Sequence, residues 1–338
     1  MKDLLKVKNL KTHFFDKKQT VKAVDGVDFD IRTGETVALV GESGCGKSMT
    51  SLSIMQLVPG PNGKIVDGEV MMGSKNLLKL TENEMCQIRG NEISMIFQEP
   101  MTSLNPVLTV GEQIIEVITY HKRLPRKEAV KQAIELLNMV GIPRAEEIIT
   151  DFPHRLSGGM RQRVMIAMAM SCDPKLLIAD EPTTALDVTI QAQILDLMRD
   201  LSRKVNTAIL LITHDLGVVS ELAERIIVMY AGQIVEQASV DDIFDNPLHP
   251  YTQGLIESVP DIEGEIGRLN PITGNVPTPE QMPSGCRFAP RCTHAFGRCF
   301  EEEPVLLSKR HNTRAVRCFL YDEETGVKNV TDTKNTYS

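Results

Sequence analysis

The residues best suited to chemistry form a glycine-rich stretch that ends in a lysine and a hydroxyl side chain. In order they are Gly41, Glu42, Ser43, Gly44, Cys45, Gly46, Lys47 and Ser48. This is the G-x-x-x-x-G-K-S/T pattern of a phosphate-binding loop. The glycines let backbone N–H groups point at phosphate oxygens, while Lys47 adds a positive charge and Ser48 a hydroxyl for Mg²⁺. The stretch predicts a nucleoside triphosphate site, and a chance glycine turn is the alternative.

The elements on either side are those that such a loop requires. Residues 35–40 form a short apolar run typical of a buried strand, and residues 49–57 contain no Gly or Pro and favour a helix. The start of that helix adds the positive end of its dipole at the phosphates. A strand, a loop and a helix in this order make the phosphate-binding interpretation much stronger than the pattern alone.

Three further apolar strands are predicted to end in polar side chains. One ends in Asp180 and Glu181, one in His214 and one in Gln98. Asp180 is suited to hold Mg²⁺ through water, and Glu181 to orient or deprotonate an attacking water. His214 could donate a hydrogen bond to a γ-phosphate, and the amide of Gln98 could meet the nucleotide. Polar strand ends that are merely solvated are the alternative.

A second helix N-terminus in the chain is also left open to an anion. Ser157 is a good N-cap, and Gly158 and Gly159 leave the following backbone N–H groups uncovered. Two such helix ends in one chain would need one ligand that bridges them.

The rest of the sequence indicates the domain organisation, the class of partner and the cellular location. Residues 109–150 have two helical apolar faces and form a helical insertion between strand-rich halves. The 338 residues suit about two domains, and the net charge of −8 argues weakly against a nucleic-acid partner. No stretch approaches the length of a membrane span, and residues 1–8 alternate as in a strand rather than a signal peptide. We therefore expect a cytosolic protein, or one tethered to a membrane by a partner.

Four of the seven cysteines are clustered near the C-terminus. They are Cys286, Cys292, Cys299 and Cys318. The clustering favours metal ligation, with zinc as the general expectation for four thiolates, although the absence of a C-x-x-C pair leaves the metal open. Four unliganded thiols are the alternative. Cys45 lies beside Lys47 at a helix start, where we expect a lowered thiol pKa.

The order of these motifs resembles that of the ATPase subunit of ABC transporters over residues 1 to about 245. The resemblance implies an α/β ABC ATPase fold, with a P-loop RecA-like core, an antiparallel β subdomain and a helical subdomain at about 100–170. It implies a head-to-tail dimer in which the loop of one subunit and Ser157, Gly158 and Gly159 of the other enclose ATP.

The same resemblance implies roles for individual residues. Gln98 would sense Mg²⁺ and water and couple to the transmembrane partner, Asp187 would cross the dimer interface, and His214 would hold the γ-phosphate. Either Phe14 or Phe15 could stack on adenine, and comparison of the first strand with that of the family selects Phe14. Met49 follows the loop where a hydroxyl residue is frequent in the family, and it is counted with the nucleotide-binding residues.

Three segments look like the dipeptide/oligopeptide permease group, whose relatives also import nickel and other small solutes. They are residues 98–106, 249–252 and 283–292. This implies peptide uptake through transmembrane permease subunits, with a homologous or identical ATPase partner and, indirectly, an extracytoplasmic substrate-binding protein. The chain would sit peripherally on the cytoplasmic face of the membrane.

The group also implies a four-iron, four-sulfur cluster on the four cysteines, in place of zinc, within an extension at 246–320 that is followed by a loose tail at 321–338. A soluble ABC ATPase of DNA repair or translation shares every ATP motif. The lack of a coiled-coil insertion, a second ATPase repeat or a basic face argues against it.

Overall fold

A computed structural model describes residues 3–17, 19–98, 103–184, 186–258, 272–309 and 314–322. Its strands, in chain order, are β1 (Asp3–Phe15), β2 (Thr20–Arg32), β3 (Thr36–Val40), β4 (Gly63–Met72), β5 (Lys75–Asn76), β6 (Ile93–Ile96), β7 (Leu176–Asp180), β8 (Ala208–Thr213), β9 (Arg225–Tyr230), β10 (Gln233–Ser239), β11 (Leu307–Lys309) and β12 (Arg314–Val316). Its helices are α1 (Lys47–Ile54), α2 (Glu82–Ile88), α3 (Val110–Lys122), α4 (Arg126–Met139), α5 (Ala145–Ile148), α6 (Gly158–Met170), α7 (Val188–Val205), α8 (Leu216–Leu222), α9 (Val240–Asp245), α10 (Pro250–Glu257) and α11 (Gly297–Glu301).

The larger sheet has eight strands in the order β11-β12-β10-β9-β3-β8-β7-β6. From β9 to β6 the neighbours are parallel. The strands β7 and β8 are buried along their whole length, as expected for parallel strands covered on both faces. Because parallel strands end at the same edge, the residues that follow β3, β6, β7 and β8 are brought together there.

The second sheet is antiparallel, in the order β2-β1-β4-β5. Buried side chains of β1 such as Leu5 and Val7 share one hydrophobic cluster with Leu39 of β3 and Ile212 of β8. This packing fixes the antiparallel sheet against the strand that leads into the phosphate-binding loop. The expected α/β fold with an antiparallel subdomain is thereby confirmed.

The helices α3 to α6 lie between β6 and β7, where the sequence predicts a helical insertion. Thr109 and Glu112 form a capping box at the start of α3, so that this helix begins at Val110. Its apolar face shares a cluster with those of α4 and α6 and with Leu177 of β7. The insertion expected at about 100–170 has its described helices at residues 110–170, and residues 99–102 lie outside the described ranges.

The C-terminal extension is continuous with the larger sheet. Strand β12 pairs with β10, and β11 pairs with β12. Arg314 of β12 makes an ion pair of 3.0 Å with Glu236 of β10, and both side chains are almost completely buried. Strands beyond residue 246, where the sequence predicts an extension, therefore belong to the larger sheet. Of the predicted loose tail, residues 323–338 lie outside the described part.

Among the described residues, no helix combines the length and hydrophobicity that crossing a bilayer requires.

Candidate active site

The phosphate-binding loop connects β3 to α1, as the sequence predicts. Gly41 and Gly46 have positive φ angles of 153° and 107°, and Gly46 is the N-cap of α1. A side chain at Gly41 would collide with the carbonyl oxygen of Met229, and one at Gly46 with that of Ala23. Both glycines are thus required by the backbone conformation and by the close approach of neighbouring strands.

The ammonium group of Lys47 lies inside the curve of the loop. It donates to the carbonyl oxygens of Gly41 at 2.6 Å and Glu42 at 3.1 Å, and the residue is only 6% exposed. These contacts hold the positive charge within the loop. A phosphate oxygen, being anionic, is a stronger acceptor for it.

The hydroxyl of Ser48 donates to a carboxylate oxygen of Asp180 at 3.1 Å. Asp180 is nearly buried, and this burial, with the neighbouring charge of Glu181 adding to it, raises its pKa to about 6. A hydroxyl and a carboxylate this close are the hard oxygen donors that Mg²⁺ takes, directly or through water. The pair fits Mg²⁺ chemically, and a bound cation would also stabilise the carboxylate charge.

Glu181 is the point at which three strand ends meet. Its carboxylate accepts from the Gln98 amide at 2.9 Å and from the Thr184 hydroxyl at 3.0 Å, and it lies 3.2 Å from Nδ1 of His214. Its backbone has a φ of 47°, unusual for a side-chain-bearing residue, and its N–H donates to Ile212 at 2.8 Å. The structure therefore brings Gln98, Glu181 and His214 together.

These contacts also set the charge of Glu181. Burial by itself would raise the pKa of the carboxyl, but the hydrogen bonds from Thr184, His214 and Gln98 together lower it below its ordinary value. The group is consequently ionised near neutral pH and has the form that a proton acceptor needs. Thr184 was missed by the sequence analysis, and only its position three residues after Glu181, in the turn, could have indicated it.

The residues predicted to contact ATP from a second subunit lie at two exposed helix starts. The Ser157 hydroxyl accepts from the N–H of Met160 at 3.3 Å and caps α6. Asp187 accepts from the N–H of Ile190 at 3.0 Å and caps α7. Gly158 is exposed, and a side chain on Gly159 would press on Ile190. Asp187 thus has a local capping role, in addition to the role across an interface that the resemblance implies.

Glu42 is held by residues from the C-terminal part of the chain. Its carboxylate binds the guanidinium of Arg291, and its N–H donates to the hydroxyl of Tyr251 at 2.8 Å. Both partners lie in motifs that the sequence analysis singled out, but nothing in their spacing indicated contact with the loop.

The two candidate adenine-stacking rings differ in exposure. Phe14 is half-buried in β1, and its ring lies where a side chain on Gly63 would be. Phe15 is 42% exposed, and its ring centroid lies 6.3 Å from that of His13.

The expectation of a lowered thiol pKa at Cys45 is wrong. Cys45 is completely buried, and this burial raises its pKa despite the nearby ammonium of Lys47. A helix start lowers a thiol pKa only where the thiolate can be solvated or directly paired, and here the sulfur belongs to the hydrophobic core. Cys45 can therefore contribute to a phosphate site through its backbone N–H but not through a thiolate.

Cys286, Cys292, Cys299 and Cys318 all line one small cavity in the extension. Burial is the main cause that raises the pKa of Cys286 and Cys292, and it raises that of Cys318 to about 12. Within the described ranges, no group of three or more His, Cys, Asp or Glu side chains is arranged to hold a metal ion. The four thiols are therefore gathered around one space, but they are not spaced for a single ion.

Comparison with known families agrees with this geometry. A family model described as ABC transporter matches residues 24–184. A second, described as the C-terminal region of oligopeptide/dipeptide transporters, matches residues 235–299. The chain is 67% identical over 96% of its length to the oligopeptide transport ATP-binding protein AppD of Bacillus subtilis, 98% of which it covers. This chain belongs to the ABC transporter ATP-binding family. It is an ATPase of the oligopeptide/dipeptide transporter group.

Other relatives and solved structures show the same relationship. The dipeptide transport ATP-binding protein DppD of Bacillus subtilis is 50% identical, with 96% of each chain covered. The dimeric ATP-binding cassette MJ0796 bound to ADP and phosphate is 30% identical, with a TM-score of 0.63 over 70% of this chain and 98% of that one. CbiO1 of Clostridium perfringens, part of an ABC transporter complex, has a TM-score of 0.61 at 25% identity, covering 73% of this chain and 92% of its own. Most of the chain therefore shares the cassette fold of these solved structures.

Proposed function

We propose that this chain is the motor subunit of a peptide importer and that it hydrolyses ATP between two head-to-tail subunits. The observation that carries this proposal is the meeting of Gln98, Glu181 and His214 beside the Ser48–Asp180 pair. The exposed start of α6 at Ser157 lies in the helical insertion, as the second half of a split site would. The similarity to a dimeric cassette bound to ADP and phosphate supports the same arrangement.

In this proposal each contact has a chemical task. Lys47 and the loop N–H groups bind the β- and γ-phosphates, while Ser48 and Asp180, with Gln98, hold Mg²⁺. Glu181 accepts a proton from the attacking water, and His214 donates to the γ-phosphate. Ser157, Gly158, Gly159 and Asp187 of the second subunit close the site, and Phe14 stacks on adenine.

The proposed cargo is a dipeptide or oligopeptide. Its support is the names of the relatives and the match of residues 235–299 to the C-terminal region of such transporters. In the same proposal the chain docks on transmembrane permease subunits at the cytoplasmic face, and a substrate-binding protein delivers the peptide to them. The ATPase partner is a second copy or a related chain.

The test is uptake and ATP hydrolysis by the chain assembled with its permease subunits and binding protein in lipid vesicles. Short peptides should stimulate hydrolysis and accumulate inside, and a Glu181→Gln complex should do neither. Stimulation by Ni²⁺ and not by peptides would transfer the assignment to a metal importer. Co-purification with ribosomes or DNA, rather than with integral membrane subunits, would indicate a repair or translation ATPase and would overturn transport.

We also propose that the four cysteines hold a four-iron, four-sulfur cluster. Four thiols line one cavity, which matches the Cys₄ donor set of such a cluster. A single zinc ion, with bonds of about 2.3 Å, needs its sulfurs close together around one point, whereas each thiolate of a cluster binds its own iron. When bound, the cluster would cross-link the extension at Cys286, Cys292, Cys299 and Cys318.

Metal and sulfide analysis of protein purified without oxygen tests this second proposal. About four iron atoms and four sulfides per chain are expected, and a Cys318→Ser variant should lose most of both. Stoichiometric zinc without sulfide would contradict the cluster, as would a metal-free protein with four reactive thiols.

A further inference from the structure

We infer that Arg291 is a positioning residue for the phosphate-binding loop and that it acts by neutralising and orienting Glu42. The inference rests on the proposed role of the loop in binding ATP. It concerns a contact between the cysteine-containing extension and the nucleotide site.

The contact has the geometry of a strong ion pair. Nη1 and Nη2 of Arg291 lie 2.6 and 3.0 Å from the two carboxylate oxygens of Glu42, so that the fork binds both oxygens in parallel. The arginine side chain is only 4% exposed, and that of Glu42 is 31% exposed. Such a shielded pair is little screened by solvent.

Arg291 is itself held in one orientation by the extension. Nε donates to the carbonyl oxygen of Thr273 at 3.0 Å, and Nη2 lies 3.4 Å from that of Ile272. The guanidinium also lies 5.8 and 5.9 Å from the ring centroids of Tyr230 and Phe288, within cation–π range. Arg291 is therefore a preorganised support, and Glu42 is the group that it positions.

Two other contacts also hold the loop. Tyr251, which is completely buried, accepts the N–H of Glu42 at 2.8 Å. Arg287 donates to Ala231 at 2.6 Å and pairs with Asp25. Gly232, which follows Ala231 in the chain, donates its N–H to the carbonyl oxygen of Cys45 in the loop at 2.8 Å. Main chain and side chain of the loop are thus supported by residues from beyond position 230.

The physical consequence concerns charge. Glu42 is the second residue of a loop that must receive a triphosphate, and an unpaired carboxylate there would repel it. Paired with Arg291, the carboxylate no longer repels the triphosphate, and the pair holds the residue whose backbone carbonyl accepts from Lys47 at 3.1 Å. Loss of the arginine should weaken ATP binding more than loss of the carboxylate. A purely structural contact would make the two losses similar.

The test measures binding of trinitrophenyl-ATP and displacement by Mg-ATP on the purified full chain. Arg291→Gln should weaken ATP affinity roughly tenfold, Arg291→Lys by about threefold, and Glu42→Gln by less than about threefold. The double variant Arg291→Gln/Glu42→Gln should regain most of the affinity because it carries no unpaired charge. High salt should reduce the Arg291→Gln deficit.

Two controls separate the possible causes. Arg298→Gln removes another paired arginine of the extension, whose partners are Glu302 and Asp322, and should leave ATP affinity unchanged. Lys47→Ala should abolish binding. If Lys47→Ala binds ATP normally, the assignment of the loop fails and the role of Arg291 fails with it.

The inference alone is overturned if Lys47→Ala loses binding but Arg291→Gln stays within twofold of the wild type. It is also overturned if the double variant is as weak as Arg291→Gln, since the loss would then reflect damaged packing. Should Arg291→Gln fail to fold, Arg291→Lys and the double variant decide the same question, because both retain a possible partner for position 42.

Discussion

The phosphate-binding loop and the cysteine-containing extension reach the same site by different kinds of contact. Lys47 bonds to Gly41, only six residues away in the chain, and this loop is shaped by glycines within it. Arg291 bonds to Glu42 across 249 positions. The loop is specified by neighbours in sequence, whereas the extension acts through partners that only the folded sheet brings near.

This difference separates residues that bind from residues that hold the binding residues in place. Gln98 and His214 both contact Glu181 at the ends of parallel strands. Within the loop, Arg291 and Tyr251 bind Glu42, its second residue. Substitutions at the strand ends should therefore change the chemical step, and those in the extension should change affinity or stability.

Among the substitutions that test this comparison, Glu181→Gln is expected to have the largest effect on ATP hydrolysis. The amide keeps the shape of the side chain but cannot accept a proton, so that hydrolysis should fall by about 10²- to 10⁴-fold while ATP still binds. Phosphate release measures the loss of hydrolysis, and ATP affinity of the same protein shows whether binding is retained.

The matched control is Glu224→Gln, which alters an acceptor for the N–H of Thr36 on the same sheet. It should hydrolyse ATP near the wild-type rate. A Glu181→Gln protein that turned over at the normal rate would exclude this carboxylate as the base.

The extension should lose stability at acidic pH because of His249. This residue is fully buried, its Nδ1 accepts the N–H of Tyr251 at 3.0 Å, and burial, with Arg317 nearby, lowers its pKa to about 3. An unfolded histidine takes a proton near pH 6.5, so between about pH 6.5 and 3 the unfolded state binds more protons. Stability should therefore fall as the pH falls, by at most about 1.4 kcal/mol per pH unit from this group.

Urea unfolding at several pH values checks this expectation, with His249→Asn as the control. Asparagine can accept the same N–H as a helix cap but does not titrate. Its stability should depend less on pH between 6.5 and 4 than that of the wild type. Parallel profiles for the two proteins would show that His249 is not the acid-sensitive group.

The contrast between local and distant contacts also explains what the sequence could predict. The strand, loop and helix around Lys47 follow from glycine positions and apolar runs, and so do the polar strand ends at Gln98, Asp180 and His214. The thiol of Cys45 was misjudged because its burial depends on the packing of β1, β3 and α1, which no local pattern reports.

The extension was predictable in composition but not in its contacts. Clustered cysteines indicated a shared site, and all four line one cavity. Nothing in the spacing indicated that β12 would pair with β10, or that Arg291 would reach Glu42. Such pairings are set by the sheet order, which short motifs do not encode.

Removing an aromatic ring from β1 is expected to have a smaller effect, on ATP binding. If Phe14 stacks on adenine, Phe14→Ala should weaken ATP binding by about 1–3 kcal/mol, the usual contribution of one aromatic ring stacked on a base. Inorganic tripolyphosphate, which lacks the base, should compete equally well for both proteins. Phe15→Ala is the matched control, and a larger loss there would assign stacking to the more exposed ring.

The smallest effect concerns thiols in the two regions. Cys45 is buried in the core, whereas Cys86 is partly exposed and lies outside both the loop and the cysteine cavity. A thiol reagent should therefore modify native protein at Cys86 well before Cys45, and ATP should change neither rate much because burial already protects Cys45. Mass spectrometry after timed labelling distinguishes the two sites, and Cys86→Ser removes the fast one. Rapid, ATP-sensitive labelling of Cys45 would instead mean that the loop opens in solution, and the rigid support inferred from Arg291 and Tyr251 would then have to be abandoned.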